Sequence, residues 1–466
     1  MTSAIKIINC DPFYLIPVFT ALPQLETEDY LIRLNLLQEK MREKNLSHVI
    51  VYADREHFAN MDYLIGHDPR FEEALLILDA GGARTLLVGN EGWGHSSQLP
   101  VETQRILHQT FSLQGQPRQK LKPLARHLRW AGIGKDSSLG VIGYKYFLAG
   151  EIKDPEHQTD LPAYLMEEIY RLIPRKQVCN FTASLTGLPG GIRMHLRSAK
   201  EVAIYEQIAE RTTQSVIRML KFLKPGISEL ELTSLAAMDA MPISAFPMIN
   251  FGTEHVANGL RSPNEHTLQL GDPACICRAL RGALVSRAGI AAYDQASLPV
   301  GMKKVTEKFY KPFWAALAAW YETVGIGVSG GEVYDSIFSR IGSKRFGVSL
   351  NPGHQIGADE WINSGIYAGS EIVLPDGAYL QSDVIASCSK PVYSAIMEDG
   401  LVLAGVDLRQ AIAAEYPATW QRIQQRRTFM QTTLGIQIKE EVLPMSSLCG
   451  IYFPYLLNYN LIFSKA

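Results

Sequence analysis

Asn351-Pro352-Gly353-His354-Gln355-Ile356-Gly357 is the stretch on which the reading of this chain turns. A histidine directly after Pro-Gly lies in a sharply turned backbone, where its ring can serve a cap or turn hydrogen bond or become part of a site. Upstream, Gly271-Asp272 opens a strand into Cys275 and Cys277, the chain turns near Arg281-Gly282, and it returns through Val285 to Gly289. Downstream come Leu374-Pro375-Asp376-Gly377, then Gln381-Ser382-Asp383, then Met397-Glu398-Asp399-Gly400. A hairpin turning at Gly282-Ala283 sets Cys277 opposite Ala288, and Arg278 opposite Arg287 on the other side of the sheet. Two arginines so placed repel, which predicts either an acid on a covering helix or a bulge that turns one guanidinium toward the site.

Toward the amino terminus, Ser198-Ala199-Lys200-Glu201 is a capping box that starts a long amphipathic helix through Tyr205, Ile208, Ala209, Val216, Met219 and Leu220. The helix stops at Pro225-Gly226, and Ser228-Glu229-Leu230-Glu231 repeats the start signal. Thr186-Gly187-Leu188-Pro189-Gly190-Gly191 is the most turn-rich stretch and marks a domain boundary. Before it, the spacing predicts a helix over 30–43, a buried strand at Val49-Ile50-Val51-Tyr52, a hairpin of 74–78 with 85–88, and a strand over 139–142. Helix followed by strand indicates an α/β layer. Beyond the last landmark, a helix-like run from Asp407 leads to an end rich in Tyr452, Phe453, Tyr455 and Tyr459, suited to a packing tail, a dimer contact or a cleft lid.

Composition narrows the partners. With 45 basic against 47 acidic residues in 466, the formal charge of −2 offers no basic excess to release counterions from nucleic acid. Six dispersed cysteines read as reduced thiols rather than a disulfide framework. Lys6, Asp11 and Pro12 break the apolar start, unlike a signal peptide. No run approaches the roughly 18 apolar residues needed to span a bilayer. The expectation is a cytoplasmic protein with neither nucleic acid nor membrane as partner.

In this order and spacing the landmarks resemble the creatinase, prolidase and aminopeptidase P family, the pita-bread hydrolases, over about residues 28 to 405. The resemblance implies an α/β and α+β chain. A creatinase-like amino-terminal α/β domain occupies 1–190, and a carboxy-terminal pita-bread domain occupies 191–466, with an extension from about 406. It also implies a homodimer. Peptidase members of the family hold two divalent metals in Asp, Asp, His, Glu and Glu, because bridging carboxylates let two ions clamp a hydroxide and polarise the scissile carbonyl. Carried over, the two Asp positions fall on Cys277 and Ala288, the His on His354, the first Glu on Asp383 and the last on Glu398. His354, Asp383 and Glu398 are therefore both the catalytic and the metal-ligand candidates.

With two of five ligands replaced, the expectation is no metal or one divalent ion, not a two-metal centre. Asp383 is one methylene shorter than Glu, which withdraws its carboxylate by about 1.5 Å, against a ligand-distance tolerance of about 0.2 Å. Cys277 can add a thiolate, favouring zinc over manganese, or can be a small core residue like Cys275. Creatinase itself works without metal, through a histidine in the segment before the Gly-Asp strand. Here Asn258 or Gly259 takes that position, with His255 and His266 out of register. His255, Asn258, Arg261 and Arg287 are the substrate-binding candidates.

Three functions stay open. One is a metal-independent or single-metal hydrolase acting on a small amide, amidine or short peptide. The second is a non-catalytic binding protein that keeps the cleft, a pseudoenzyme. The third, a working dinuclear Xaa-Pro aminopeptidase, is disfavoured because Ala288 has no ligand atom.

Overall fold

The computed structural model describes residues 5–15, 17, 19–236, 241–258, 260–389 and 392–466, without the side chains of 257, 258, 389 and 393. Two compact units result: Gln24–Met194, and the residues up to Pro23 joined with His195–Ala466. The smaller unit is built on a six-stranded mixed sheet, ordered Gln104–Leu107, Arg84–Val88, Ala74–Asp79, His48–Ala53, Leu139–Ile142 and Val178–Asn180. The apolar runs read from the sequence are its central strands. The hairpin of Ala74–Asp79 with Arg84–Val88 closes through Gly82 at a φ of 96°. There the Asp79 carboxylate accepts the Ala83 N–H at 2.8 Å, the local bonding that favours Asp in turns. Helix Thr27–Glu43 lays Leu34, Leu37 and Met41 on this sheet's core.

The larger unit holds a five-stranded antiparallel sheet, ordered Val384–Ser389, Val392–Glu398, Ala283–Ile290, Pro273–Leu280 and Met248–Phe251. A four-stranded sheet runs His354–Gln355, Tyr379–Gln381, Gly400–Leu403 and Val442–Pro444. Strand Ala283–Ile290 is buried along its whole length, as a strand covered on both faces must be. Helix Ala199–Phe222 packs on it and on Pro273–Leu280. The helix starts where the sequence places it: Ser198 Oγ accepts the Glu201 N–H at 3.2 Å. Glu201 takes the Arg197 N–H at 2.6 Å, one residue earlier than a reciprocal box requires. Ser228 caps Glu229–Leu235 in the same way, through the Glu231 N–H at 3.1 Å.

The hairpin register differs from expectation. Leu280 pairs with Ala283, so the turn is Arg281-Gly282, and Cys277 faces Ser286 while Cys275 faces Ala288. Gly282, at a φ of 117°, fills the second turn position that needs the left-handed region; moving the turn by one residue shifts every partner by two. Arg278 faces Val285 and Arg287 faces Ile276, so the guanidiniums are not directly opposed. Arg287 does meet an acid, but it is Asp399, in the turn between Val392–Glu398 and Gly400–Leu403, at 2.7 Å. Neither a covering-helix acid nor a guanidinium swung into the site is present at Arg287.

The extension beyond 406 is a packing tail. Val442–Pro444 completes the four-stranded sheet, Leu461–Ser464 pairs with Lys6–Asn9, and Tyr452, Phe453 and Tyr455 are buried. Among the described residues, no helix is long and apolar enough to cross a membrane.

Candidate metal centre

Gly353 explains why the central stretch reads as it does. Its φ is 143°, and a Cβ there would sit 2.7 Å from the Gln381 carbonyl oxygen, so only glycine lets His354–Gln355 lie against Tyr379–Gln381. That pairing puts His354 opposite Gln381. The imidazole is fully buried and stacks on Trp361, with centroids 4.1 Å apart and planes 18° from parallel. Nδ1 lies 3.2 Å from the Gln355 carbonyl. A carbonyl only accepts, so Nδ1 carries a proton, and Nε2 is the ring atom turned toward the acids. Nε2 is buried without a hydrogen bond. Glu360 Oε1 lies 3.4 Å from it and Glu398 Oε1 3.7 Å.

Strand register supplies Glu398. Met248, Cys277, Ser286 and Glu398 form one cross-strand row, so their side chains share a face, with Cys275 and Ala288 in the next row on that face. Asp383 directly precedes Val384, the partner of Met397. Gln381 Nε2 donates to the Leu284 carbonyl at 2.7 Å and reaches Glu398 Oε1 at 3.4 Å.

Burial dominates the electrostatics. Desolvation, with Glu360 adding to it, lifts the Glu398 carboxyl well above the usual range, and the Gln381 amide offsets part of this. Asp383 is pushed up to about 8 by burial and by Glu398, against the pull of His354; its Oδ1 has no hydrogen-bond partner. Glu360 is raised by burial and lowered by His354. Burial and Glu398 push the Cys277 thiol well up, so it stays protonated.

Among the described residues, one group of three or more His, Cys, Asp or Glu gathers its ligand atoms within 4.8 Å of one another: His354, Glu360 and Glu398. Two sequence candidates are thus brought together, Asp383 and Cys277 stay outside the group, and Glu360 joins it. A loop supplies Glu360: the Gln355 and Ile362 N–H groups bond to the Asn363 and Gln355 carbonyls at 2.8 and 3.0 Å, folding 356–362 back over His354. One nitrogen and two carboxylate oxygens fit one hard or borderline divalent ion.

His255 Nδ1 lies 3.0 Å from Glu229, and its ring is 4.4 Å from that of His266. Its helix, Gly252–Asn258, packs on Pro273–Leu280 and Val392–Glu398. The Asn258 side chain and Gly259 lie outside the described residues. Arg261 is exposed, its carbonyl bonded to Asn250 at 3.1 Å. Arg287 lies on the opposite face of the sheet from Glu398. Among the described residues, no side-chain bond joins His255, Arg261 or Arg287 to the side chains of His354, Asp383 or Glu398.

The folded hairpin, the second sheet and the His-Glu-Glu group define a pita-bread protein with one candidate three-donor centre among the described residues. No protein-family model and no curated protein matches the sequence. Solved structures do. An Xaa-Pro dipeptidase from Bacillus anthracis superposes with a TM-score of 0.61 at 15% identity, over 81% of this chain and 96% of that one. Dipeptidase PepE from Mycobacterium ulcerans gives 0.61 at 18%, over 82% and 95%. Proline aminopeptidase P II from Yersinia pestis gives 0.56 at 14%, over 82% and 94%. The chain has the pita-bread fold of the creatinase, prolidase and aminopeptidase P family.

Proposed function

We propose that this protein is a single-metal hydrolase of a small amide, amidine or short peptide. The observation that carries the reading is the buried Nε2 of His354, without a hydrogen bond and facing Glu360 and Glu398. When bound, a divalent ion supplies Lewis-acid polarisation of a carbonyl and an activated water. His354, Glu360 and Glu398 would hold it, and Gln381 steadies Glu398. Asp383 holds a proton beside Glu398 at neutral pH, available to a substrate amide or its leaving nitrogen. The names of the structural neighbours support a short peptide, Xaa-Pro dipeptides first, as the substrate to try. We extend the reading to a cytoplasmic homodimer without nucleic-acid partners.

The test is a manganese and zinc titration followed by thermal unfolding and calorimetry, alongside hydrolysis of Xaa-Pro dipeptides. Wild type is expected to bind one ion per chain, with about 2.7 kcal/mol of stabilisation at a hundredfold excess over Kd. His354→Ala loses this, and the double variant Cys277→Asp, Ala288→Asp gains a second ion. A wild type indifferent to both metals sinks the reading; one that binds metal but cleaves no peptide, amide or amidine is a binding protein.

A further inference from the structure

We propose that the buried Arg287–Asp399 pair is the positioning device for Glu398 and Asp383, and that it makes the carboxy-terminal segment around Ser446 to Ile451 part of the site. The proposal rests on the single-ion reading for what the positioned carboxylates do. It does not rest on that reading for the geometry.

Arg287 is fully buried, and all three of its nitrogens are used. Nε donates to the Ile451 carbonyl at 2.9 Å. Nη1 donates to the Ser286 carbonyl at 2.7 Å and the Glu398 carbonyl at 3.2 Å. Nη2 donates to the Leu448 carbonyl at 2.6 Å and to Asp399 Oδ2 at 2.7 Å. Ser286 and Glu398 are cross-strand partners, so one planar guanidinium grips both strands at the row that carries Glu398. The rigid fork of Arg is suited to this, since it holds several acceptors in fixed relation.

Asp399 completes the clamp. Its Oδ1 accepts the Ser446 hydroxyl at 2.8 Å, and its carbonyl accepts the Ser382 N–H at 2.9 Å. Ser382 is the residue before Asp383. The pair therefore fixes the backbone at Glu398 and beside Asp383 from the face opposite the site, while Leu448 and Ile451 anchor it to the tail. A fully buried ion pair adds little net stability against an apolar replacement of the same volume, so geometry is the better account of why charges sit here. Groups that orient metal ligands from behind typically govern affinity by about 10- to 100-fold.

The experiment compares wild type with Asp399→Asn and Ser446→Ala in two measurements: the manganese Kd by calorimetry, and the crystal structure of the metal-free protein. Asp399→Asn is expected to weaken binding at least about tenfold and to move the Glu398 carboxylate away from its 3.7 Å separation from His354 Nε2. Ser446→Ala is the milder variant: it keeps the ion pair and removes the hydroxyl that donates to Asp399 and accepts from Thr213 and the Leu448 N–H. It should weaken binding by about fivefold, the equivalent of one net hydrogen bond. A folded variant with the Glu398 position and the affinity both unchanged overturns the proposal. If wild type binds no metal, the single-ion reading fails by itself, and the crystal position of Glu398 alone decides: displacement upholds the clamp, coincidence with wild type ends it.

Discussion

Two groups of buried or half-buried acids lie in the larger unit, and the fold treats them in opposite ways. Glu206 and Glu210, on helix Ala199–Phe222, are fully buried and closed by arginines from the tail. Arg422 forks onto Glu206, with Nε at 2.9 Å from Oε1. Arg426 bonds to Glu206 at 2.6 Å and Glu210 at 2.8 Å. Ser447 adds its N–H and hydroxyl to Glu210 at 3.1 and 2.9 Å. Glu398, Asp383 and Glu360 have one imidazole instead, and among the described residues no Lys or Arg side chain bonds to their carboxylates. The nearby guanidinium of Arg287 is engaged by Asp399. In the first group the protein supplies the countercharge. In the second that place is left to protons or to a bound cation.

The largest effect expected from this contrast is on stability. Arg426→Met strands Glu210 in the core, leaves Glu206 with Arg422 alone, and should lower the unfolding free energy by about 3–5 kcal/mol, measured by urea denaturation. Burial already raises the carboxyl of Glu210, and Arg426 is the leading influence against it. Glu398→Gln, in contrast, removes a buried carboxyl that burial already holds in its protonated form and should leave the metal-free protein at or above wild-type stability. Equal losses from the two substitutions break the comparison.

The next effect sharpens which carboxylate completes the open group. Glu360→Gln should weaken manganese or zinc binding by at least about tenfold, or 1.4 kcal/mol. Asp383→Asn, outside the group, should change it less. Calorimetry that reverses this order returns the site to the ligand set implied by family resemblance, His354, Asp383 and Glu398.

How much of this was legible in the sequence depends on distance along the chain. Ser198 and Ser228 announce their helices because a cap and its N–H lie three residues apart. Gly353-His354 is legible because φ constrains the residue itself. The hairpin was readable as a hairpin, but the dipeptides Arg281-Gly282 and Gly282-Ala283 both offer a glycine turn, and side-chain alternation is unchanged by a shift of two. Glu360 lies in an aperiodic loop, six residues past His354; the one local signal is an acid pair, Asp359-Glu360, beside Trp361. Glu206 and Arg426 are separated by 220 positions, and no local pattern links them. Arg287 was expected to need an acid, and physical reasoning about repulsion found that need without finding Asp399, whose location depends on the register.

The smallest effect per step is also the one most specific to the open group. Asp383 titrates near 8 in the folded protein against an ordinary value of 3.8. Between those values the folded state keeps a proton that the unfolded chain has released, so raising the pH favours unfolding. The metal-free protein should therefore lose about 1.4 kcal/mol per pH unit across that window from this group, with the full advantage of the protonated acid present below pH 4 and no further loss above pH 8. Asp383→Asn removes this group's share of the slope, while the raised carboxyls of Glu398, Glu360 and Glu210 keep theirs. A divalent ion favours the ionised carboxylates, so its affinity should rise with pH over the same range. Urea denaturation of wild type and Asp383→Asn at pH 5, 6, 7 and 8 measures the difference directly. Parallel curves for the two proteins would mean that a countercharge already stands beside Asp383, and the two acid groups would then be alike.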